Sequence, residues 1–228
     1  MKEMWPCLVL QVIKPIKSFY MKDLIIIGAG SVGSHIAHNL DEYLTGYRLL
    51  GFLDDDPDKI DLNLFGYPVI GNIDTFFSKD FKNVEVIIGI AFPNTKKKII
   101  EKLTSKKAFI SPSLVSKNAW LSKRVAVGNG AIIYPGVSIN FGTHIDEFVV
   151  INMNCAIGHD CHIGKYTSLA PGVNLAGHTY IGNSVDMGIG SATIQNIKIS
   201  SNSVVGGNSI VIHNVDEPTT VVGVPAKK

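Results

Sequence analysis

The stretch Asn152-Met153-Asn154-Cys155-Ala156-Ile157-Gly158-His159-Asp160-Cys161-His162 crowds together side chains that can move protons or bind metals. A histidine beside an acid suits general-base work, because neutral imidazole is available near pH 7 and a carboxylate steadies the imidazolium that forms. The same residues invite a metal reading, which requires their ligand atoms to converge on one point. A second chemical signal is Gly28-x-Gly30-x-x-Gly33, directly after the apolar run Leu24 to Ile27. Glycines between a strand and a helix let backbone N–H groups approach a pyrophosphate. Asp54 stands where an acid can accept hydrogen bonds from a ribose or a base. A dinucleotide and a nucleotide-linked sugar both meet these requirements.

The elements that position the histidine follow from a repeat. From Val115, steps of six reach Leu121, Val127, Ile133, Ile139, Ile145, Ile151, Ile157, Ile163, Leu169, Leu175, Ile181, Met187, Thr193, Ile199, Val205 and Val211. Sixteen of these seventeen are aliphatic or Met, so the period is real and matches neither a helix nor simple alternation. A triangular solenoid satisfies it, with one short strand and one turn per six residues. The aliphatic points inward and stacks on its equivalent in the next coil. A two-sheet sandwich with fortuitous spacing is the competing architecture. The small or β-branched residue two places earlier, as at Ala131, Val137, Cys155 and Cys161, fits a crowded corner. Glycine or asparagine after the aliphatic, as in Ile157-Gly158 and Ile163-Gly164, is expected to supply positive φ. Thr193 breaks the ladder, and its buried hydroxyl requires a partner such as a backbone carbonyl of the adjacent coil.

This register separates the chemical residues. Ile157 and Ile163 face inward on successive faces, which leaves His159 and Asp160 in the turn between them. His162 precedes an inward residue and faces outward, and Cys155 and Cys161 occupy corners of different faces. The set does not converge, so no metal is expected. His178, about one coil on, borders the same groove.

Upstream the texture changes. Leu24 to Ile27 reads as a strand, Val32, Ile36, Leu40 and Leu44 as one helix, Tyr47 to Leu53 as a second strand, Val84 to Ala91 as a third, and Asn94 to Leu103 as another helix. Alternating strand and helix implies a small parallel α/β unit of Rossmann-like type. The expected divisions are an extension over 1–20, a nucleotide-binding unit over 21–107, a β-helix over 108–214 and a tail over 215–228. Residues 1–20 read as a dispensable extension rather than a signal peptide, since Lys14 and Lys17 follow the apolar run and no cleavage motif appears.

Composition limits the function classes. A net charge of +2 marks no nucleic-acid binder, and the lysines at 96–98 and 106–107 read as a solvated face. Three cysteines do not make a disulfide scaffold and fit a reducing cytoplasm. No apolar run approaches the roughly 18 residues that span a membrane.

From Met21 to Lys228 the chain resembles the two-domain hexapeptide-repeat sugar acyltransferases of the bacillosamine-pathway and sialic-acid O-acetyltransferase type. The resemblance rests on Gly28-Ala29-Gly30, Phe52-Leu53-Asp54-Asp55, Ile110-Ser111-Pro112-Ser113, Asn152, Gly158-His159-Asp160 and the ending Gly223-Val224-Pro225-Ala226-Lys227. It implies left-handed coils, with His159 as catalytic base supported by Asp160. It implies substrate contacts at Gly28, Gly30, Ser31, Asp54, Asp55 and Asn152. It implies acetyl-CoA contacts at Ser168, Gly177, Ile189, Gly207, Gly223, Pro225 and Lys227, and a homotrimer with active sites between subunits. Val32 and Ser168 stand where the family usually has histidines.

The expected architecture is therefore an α/β Rossmann-like domain followed by an all-β left-handed parallel β-helix. The expected activity is acetyl transfer from acetyl-CoA to an amino group or hydroxyl of a nucleotide-sugar, in the cytoplasm. A nucleotide-sugar or NAD oxidoreductase would need a Tyr-x-x-x-Lys or similar, and none follows the nucleotide fold. A non-catalytic trimeric scaffold would have no use for His159-Asp160.

Overall fold

The computed structural model describes residues 21–79, 81, 83–106 and 108–228. The extension expected over 1–20 lies outside these residues.

The N-terminal part alternates strand and helix: β1 (Lys22–Ile27), α1 (Ser31–His38), α2 (Leu40–Tyr43), β2 (Tyr47–Leu53), β3 (Asn63–Leu64), β4 (Tyr67–Gly71), α3 (Thr75–Ser78), β5 (Glu85–Ile88) and α4 (Pro93–Lys106). The sheet runs β3-β4-β2-β1-β5, parallel except for the β3-β4 pair. Leu24 to Ile27 are fully buried, as a strand covered on both faces requires. The single helix expected from Val32 to Leu44 breaks at Asn39, whose side-chain amide donates to the His35 carbonyl. An asparagine that bonds the backbone offers the chain an alternative to continued helix. The third strand is shorter than expected, at Glu85–Ile88, and α4 starts at Pro93, a residue suited to a first turn.

From Leu114 onward the chain makes eighteen two-residue strands stacked in three parallel sheets of six, five and seven. Register is set by eighteen-residue coils, as in Ile139↔Ile157 and Ile145↔Ile163. The inward ladder is buried from Ile133 to Val211. This is the parallel β-helix that the repeat requires, left-handed as the family resemblance implies. Here the six-stranded sheet is called face 1 (it includes Ala156–Ile157), the five-stranded sheet face 2 (His162–Ile163), and the seven-stranded sheet face 3 (Ser168–Leu169).

The turns correct one expectation. Every sixth residue from Arg124 to Asn208 has φ between 54° and 75°, and that residue stands three places after the inward aliphatic, not one. Asn154, Asp160, Asn196, Asn202 and Asn208 belong to this set, residue types that tolerate the left-handed region. The glycine directly after the aliphatic serves close approach. A Cβ on Gly158 would come 2.6 Å from the Gly177 nitrogen, in the next coil. Thr193 also differs from expectation. Its hydroxyl pairs with that of Thr179 at 3.0 Å and accepts from the Ala176 N–H at 3.3 Å, so its partners are not a carbonyl.

The α/β part packs on face 3. The outward residues Leu114, Ile132, Val150 and Ser168 of that face are all buried beneath it. Leu24, Ile26, Val32 and Ile36 join Leu114, Ile132 and Val150 in one continuous core. Each fully buried aliphatic of this seam contributes about 1.5–3 kcal/mol. His35 stacks on Tyr134 at 4.5 Å, and Lys117 donates to the Asp41 carbonyl at 2.6 Å. Lys96, expected on a solvated face, is instead 1% exposed, because the inner side of α4 turns toward this seam. No helix among the described residues is long and apolar enough to cross a membrane.

Candidate active site

His159 and Asp160 occupy the turn joining face 1 to face 2. Asp160 has φ 54°, and its N–H donates to the Phe141 carbonyl of the preceding coil at 2.9 Å. The His159 carbonyl accepts from the His178 N–H at 2.9 Å in the following coil. The backbone of the pair is thus tied on both sides.

The side chains form a dyad. His159 Nδ1 lies 2.9 Å from Asp160 Oδ2. A carboxylate only accepts, so Nδ1 donates and Nε2 carries the free lone pair. The ring is stacked against Phe141 at 5.8 Å and 11°, and meets His178 edge-on at 4.9 Å. Nε2 lies over Gly177: a Cβ there would come within 2.6 Å of it. The Gly177 N–H has no hydrogen-bond partner among the described residues. A base atom therefore neighbours a residue with an unpaired backbone donor, two groups that acyl transfer uses.

The remaining residues of the stretch separate as their register requires. His162 faces outward on face 2, stacked between His144 and Tyr180 at 5.5 and 4.9 Å, with Nε2 3.2 Å from Asp146. Cys155 and Cys161 are buried corner residues whose thiols donate to the Ala170 and Ala176 carbonyls. Burial pushes both thiols up, Cys155 to about 11, so neither is a ready thiolate. His159 and Asp160 of this stretch, with His178 from the next coil, do bring possible ligand atoms within 4.8 Å of one another, a convergence that the sequence register did not anticipate and in which neither cysteine takes part.

A second site lies in the α/β part. A cleft of about 520 Å³ is lined by Gly28, Gly30, Ser31, Asp54, Asp55 and Lys59, with Phe92 and Lys98 opposite. The three glycines have different reasons. Gly28 has φ 98°, and a Cβ on Gly33 would collide with the Gly28 carbonyl. A Cβ on Gly30 would meet no atom of the described residues within 4 Å, so no packing contact among them requires a glycine there and the position is open to the cleft. Asp54 differs from the simple expectation of a ribose acceptor. It accepts from the Ala29 and Asp56 N–H groups at 2.8 and 3.0 Å and from Lys59 at 3.2 Å. Burial opposes its ionisation, but these donors prevail and hold the carboxyl below the usual carboxylate range. Asp55 accepts from the Ile73 N–H at 2.9 Å. Both acids thus anchor the cleft's loops, a role that sequence alone does not distinguish from ligand contact.

The expected coenzyme residues divide between two edges of the prism. Gly177 shares the edge between faces 1 and 2 with His159. Ile189 and Gly207 stack on the edge between faces 3 and 1, where Asn152 also lies, with Gly207 packed against Ile189. Gly223 follows the last strand of face 3, and Val224-Pro225 is a cis peptide. Lys227 pairs its backbone with Val222. Ser168 is a correction. It is 6% exposed beneath α4, where its hydroxyl accepts from Lys96 and donates to the Ala91 carbonyl, so it faces no open groove.

Comparison with known proteins agrees with this architecture. Residues 23–103 match the PglD N-terminal domain, and residues 142–177 match the bacterial transferase hexapeptide of six repeats. A serine acetyltransferase of Staphylococcus epidermidis is 34% identical over 135 residues, 56% of this chain and 59% of the relative. The chain thus spans 59% of the length of the curated relatives it first matches. The acetyltransferase domain of PglB from Neisseria gonorrhoeae, in complex with acetyl coenzyme A, is 25% identical with a TM-score of 0.80, covering 91% of this chain and 98% of that one. PerB from Caulobacter crescentus, in complex with CoA and GDP-perosamine, is 24% identical with a TM-score of 0.80, covering 90% and 96%. The chain thus carries, in order, a PglD N-terminal domain and a bacterial transferase hexapeptide domain.

Proposed function

We propose that this chain transfers an acetyl group from acetyl-CoA to an amino group, or a hydroxyl, of a nucleotide-activated sugar. The observation that carries the reading is the His159-Asp160 dyad, with Nε2 beside Gly177, whose backbone N–H is unpaired among the described residues. Nε2 takes the proton of the attacking amine or hydroxyl as its nitrogen or oxygen bonds to the thioester carbonyl. The Gly177 N–H stabilises the oxyanion. Collapse expels the coenzyme A thiolate, which recovers the proton from the imidazolium, and Asp160 steadies that cation in between. The acceptor's nucleotide occupies the cleft at Gly28, Gly30 and Ser31, with the first N–H groups of α1 and Lys98 answering the pyrophosphate charge. The Neisseria relative's complex with acetyl coenzyme A supports the donor.

The working unit in this reading is a homotrimer. The cleft rides on face 3, whereas His159 projects from the opposite edge, between faces 1 and 2. The edge bearing Asn152, Ile189 and Gly207 is different again. One chain does not gather these groups, and a cyclic assembly would set one subunit's His159 beside its neighbour's cleft. A coenzyme A thioester donor places the reaction in the cytoplasm. The test is acetyl-CoA consumption with UDP-, GDP- and CMP-linked amino sugars, alongside light scattering. One accepted sugar and about three times the 24.7 kDa chain mass are expected. Thioester cleavage with none of them, or a fully active monomer, contradicts the reading.

A further inference from the structure

Lys96 and Ser168 meet across the seam between the two domains, and the reaction described above uses neither. Lys96 is buried on α4, and its Nζ donates to Ser168 Oγ at 3.1 Å. Ser168 Oγ in turn donates to the carbonyl of Ala91, two residues ahead of α4. One hydroxyl on face 3 therefore holds both the approach to α4 and a side chain one turn into it. The Lys96 N–H closes that turn by donating to the Phe92 carbonyl at 3.0 Å. The same segment supplies one wall of the glycine-turn cleft, through Ala91, Phe92 and Thr95. Phe92 stands 72% exposed at this wall, so its position depends on how the turn is held.

We propose that Lys96 and Ser168 are positioning residues that staple the first turn of α4, and with it the cleft wall, to the β-helix. The function assigned to the staple rests on reading the cleft as the acceptor site. A buried amine with one neutral acceptor is an expensive way to fill space, and a methionine would pack there at lower cost. What the amine and hydroxyl add is direction, because each bond works only in one geometry. Asp186, on the strand beside Ser168, is the charged group facing Lys96, and the two form no ion pair. Burial pushes the Asp186 carboxyl up and the Lys96 amine down to about 7, against their mutual attraction, so both drift toward neutral forms. A lysine beside a serine also resembles an activated nucleophile. Ser168 is unsuited to that role, because it is buried and its proton is committed to the Ala91 carbonyl.

The test compares wild type, Ser168→Ala, Lys96→Met, the double variant and Ser168→Thr. Amide exchange over residues 92–99 is measured, and UDP, GDP, CMP, dTDP and coenzyme A are each titrated by calorimetry. Ser168→Ala strands both the amine and the carbonyl. It should speed exchange over 92–99 about tenfold or more, and weaken the accepted nucleotide by a similar factor. Coenzyme A affinity and exchange within the β-helix should not move. In the Lys96→Met background the same substitution should have a clearly smaller effect, since only the Ala91 carbonyl is then left stranded. Ser168→Thr keeps the hydroxyl and should stay near wild type. Unchanged exchange in Ser168→Ala, or an equal effect in both backgrounds, would overturn the staple. If wild type binds none of the four nucleotides, the acceptor reading of the cleft fails, and the exchange measurements still decide the staple.

Discussion

His159 lies across Gly177, one coil farther along the β-helix, with Nε2 where a side chain at Gly177 would begin. The two residues stand eighteen apart and occupy equivalent places in successive turns, so the repeat itself creates the contact. A glycine there leaves room for the imidazole and keeps a backbone donor uncovered beside it. Phe141, the equivalent residue one coil earlier, closes the other side of the ring by stacking.

Gly177→Ala tests that relationship. Its Cβ forces the imidazole off its place, and a shift of about 1 Å near reacting atoms costs up to roughly a hundredfold in rate. We expect kcat to fall at least tenfold, with the melting temperature little changed because the turn is at the surface. Wild-type kcat in Gly177→Ala would show that the ring's resting place is irrelevant to turnover.

The glycines of the cleft should divide by their reasons. Gly30→Val adds a side chain into open cleft, so it should preserve stability while raising the KM of the nucleotide-sugar at least about tenfold. Gly33→Val drives a Cβ into the Gly28 carbonyl and should destabilise by several kcal/mol or prevent folding, by the overpacking route. Chemical denaturation together with steady-state kinetics separates the two. Equal loss of nucleotide-sugar and acetyl-CoA affinity in Gly30→Val would point to misfolding instead.

Mixed assemblies test whether one subunit serves its neighbour. Gly30→Val and His159→Ala chains, each impaired alone at nucleotide-sugar concentrations well below the raised KM, should regain activity after co-refolding, because some sites then pair an intact cleft with an intact base. Absence of any recovery, with mixed trimers demonstrated by native mass spectrometry, would place the whole site within one chain.

Lys96→Met should stabilise the protein, and more so at low pH. The folded-state amine is held near 7 against an unfolded value of 10.5. Below pH 7 the amine is charged in both states, so the folded protein bears the full cost of burying it. Between pH 7 and 10.5 the unfolded chain binds more protons, and the cost is relieved as pH rises. A gain of about 1–4 kcal/mol is expected at pH 6, shrinking by pH 9.5. A gain that is constant with pH, measured by urea denaturation, would mean that Lys96 does not titrate as described.

Much of the β-helix was legible in the sequence, because each inward position is repeated in every coil. That register was enough to put His159 in a turn and His162 on a neighbouring face. It did not separate two uses of glycine. Gly158 and Gly164 answer contact between coils, whereas the left-handed residue three places after the aliphatic is Asp160 or Tyr166. The burial of Lys96 and Ser168 was illegible for another reason. Each has ordinary neighbours in sequence, and both are covered only because α4 docks on face 3. Asn39 broke a helix whose apolar spacing continued through it, since a side-chain bond to the His35 carbonyl leaves no mark on periodicity.

The central claim is that His159 is the general base, and its most direct test is single-turnover and steady-state kinetics of His159→Ala on the accepted nucleotide-sugar. A positioned base contributes about 10²–10⁴ in rate, so kcat should fall at least about a hundredfold with both KM values and the melting temperature near wild type. Asp160→Asn should lose less, because it weakens the support of the imidazolium and leaves the base in place, and His162→Ala should be mild. Near wild-type turnover by His159→Ala across pH 6 to 9 would contradict the assignment and leave the reaction to positioning alone.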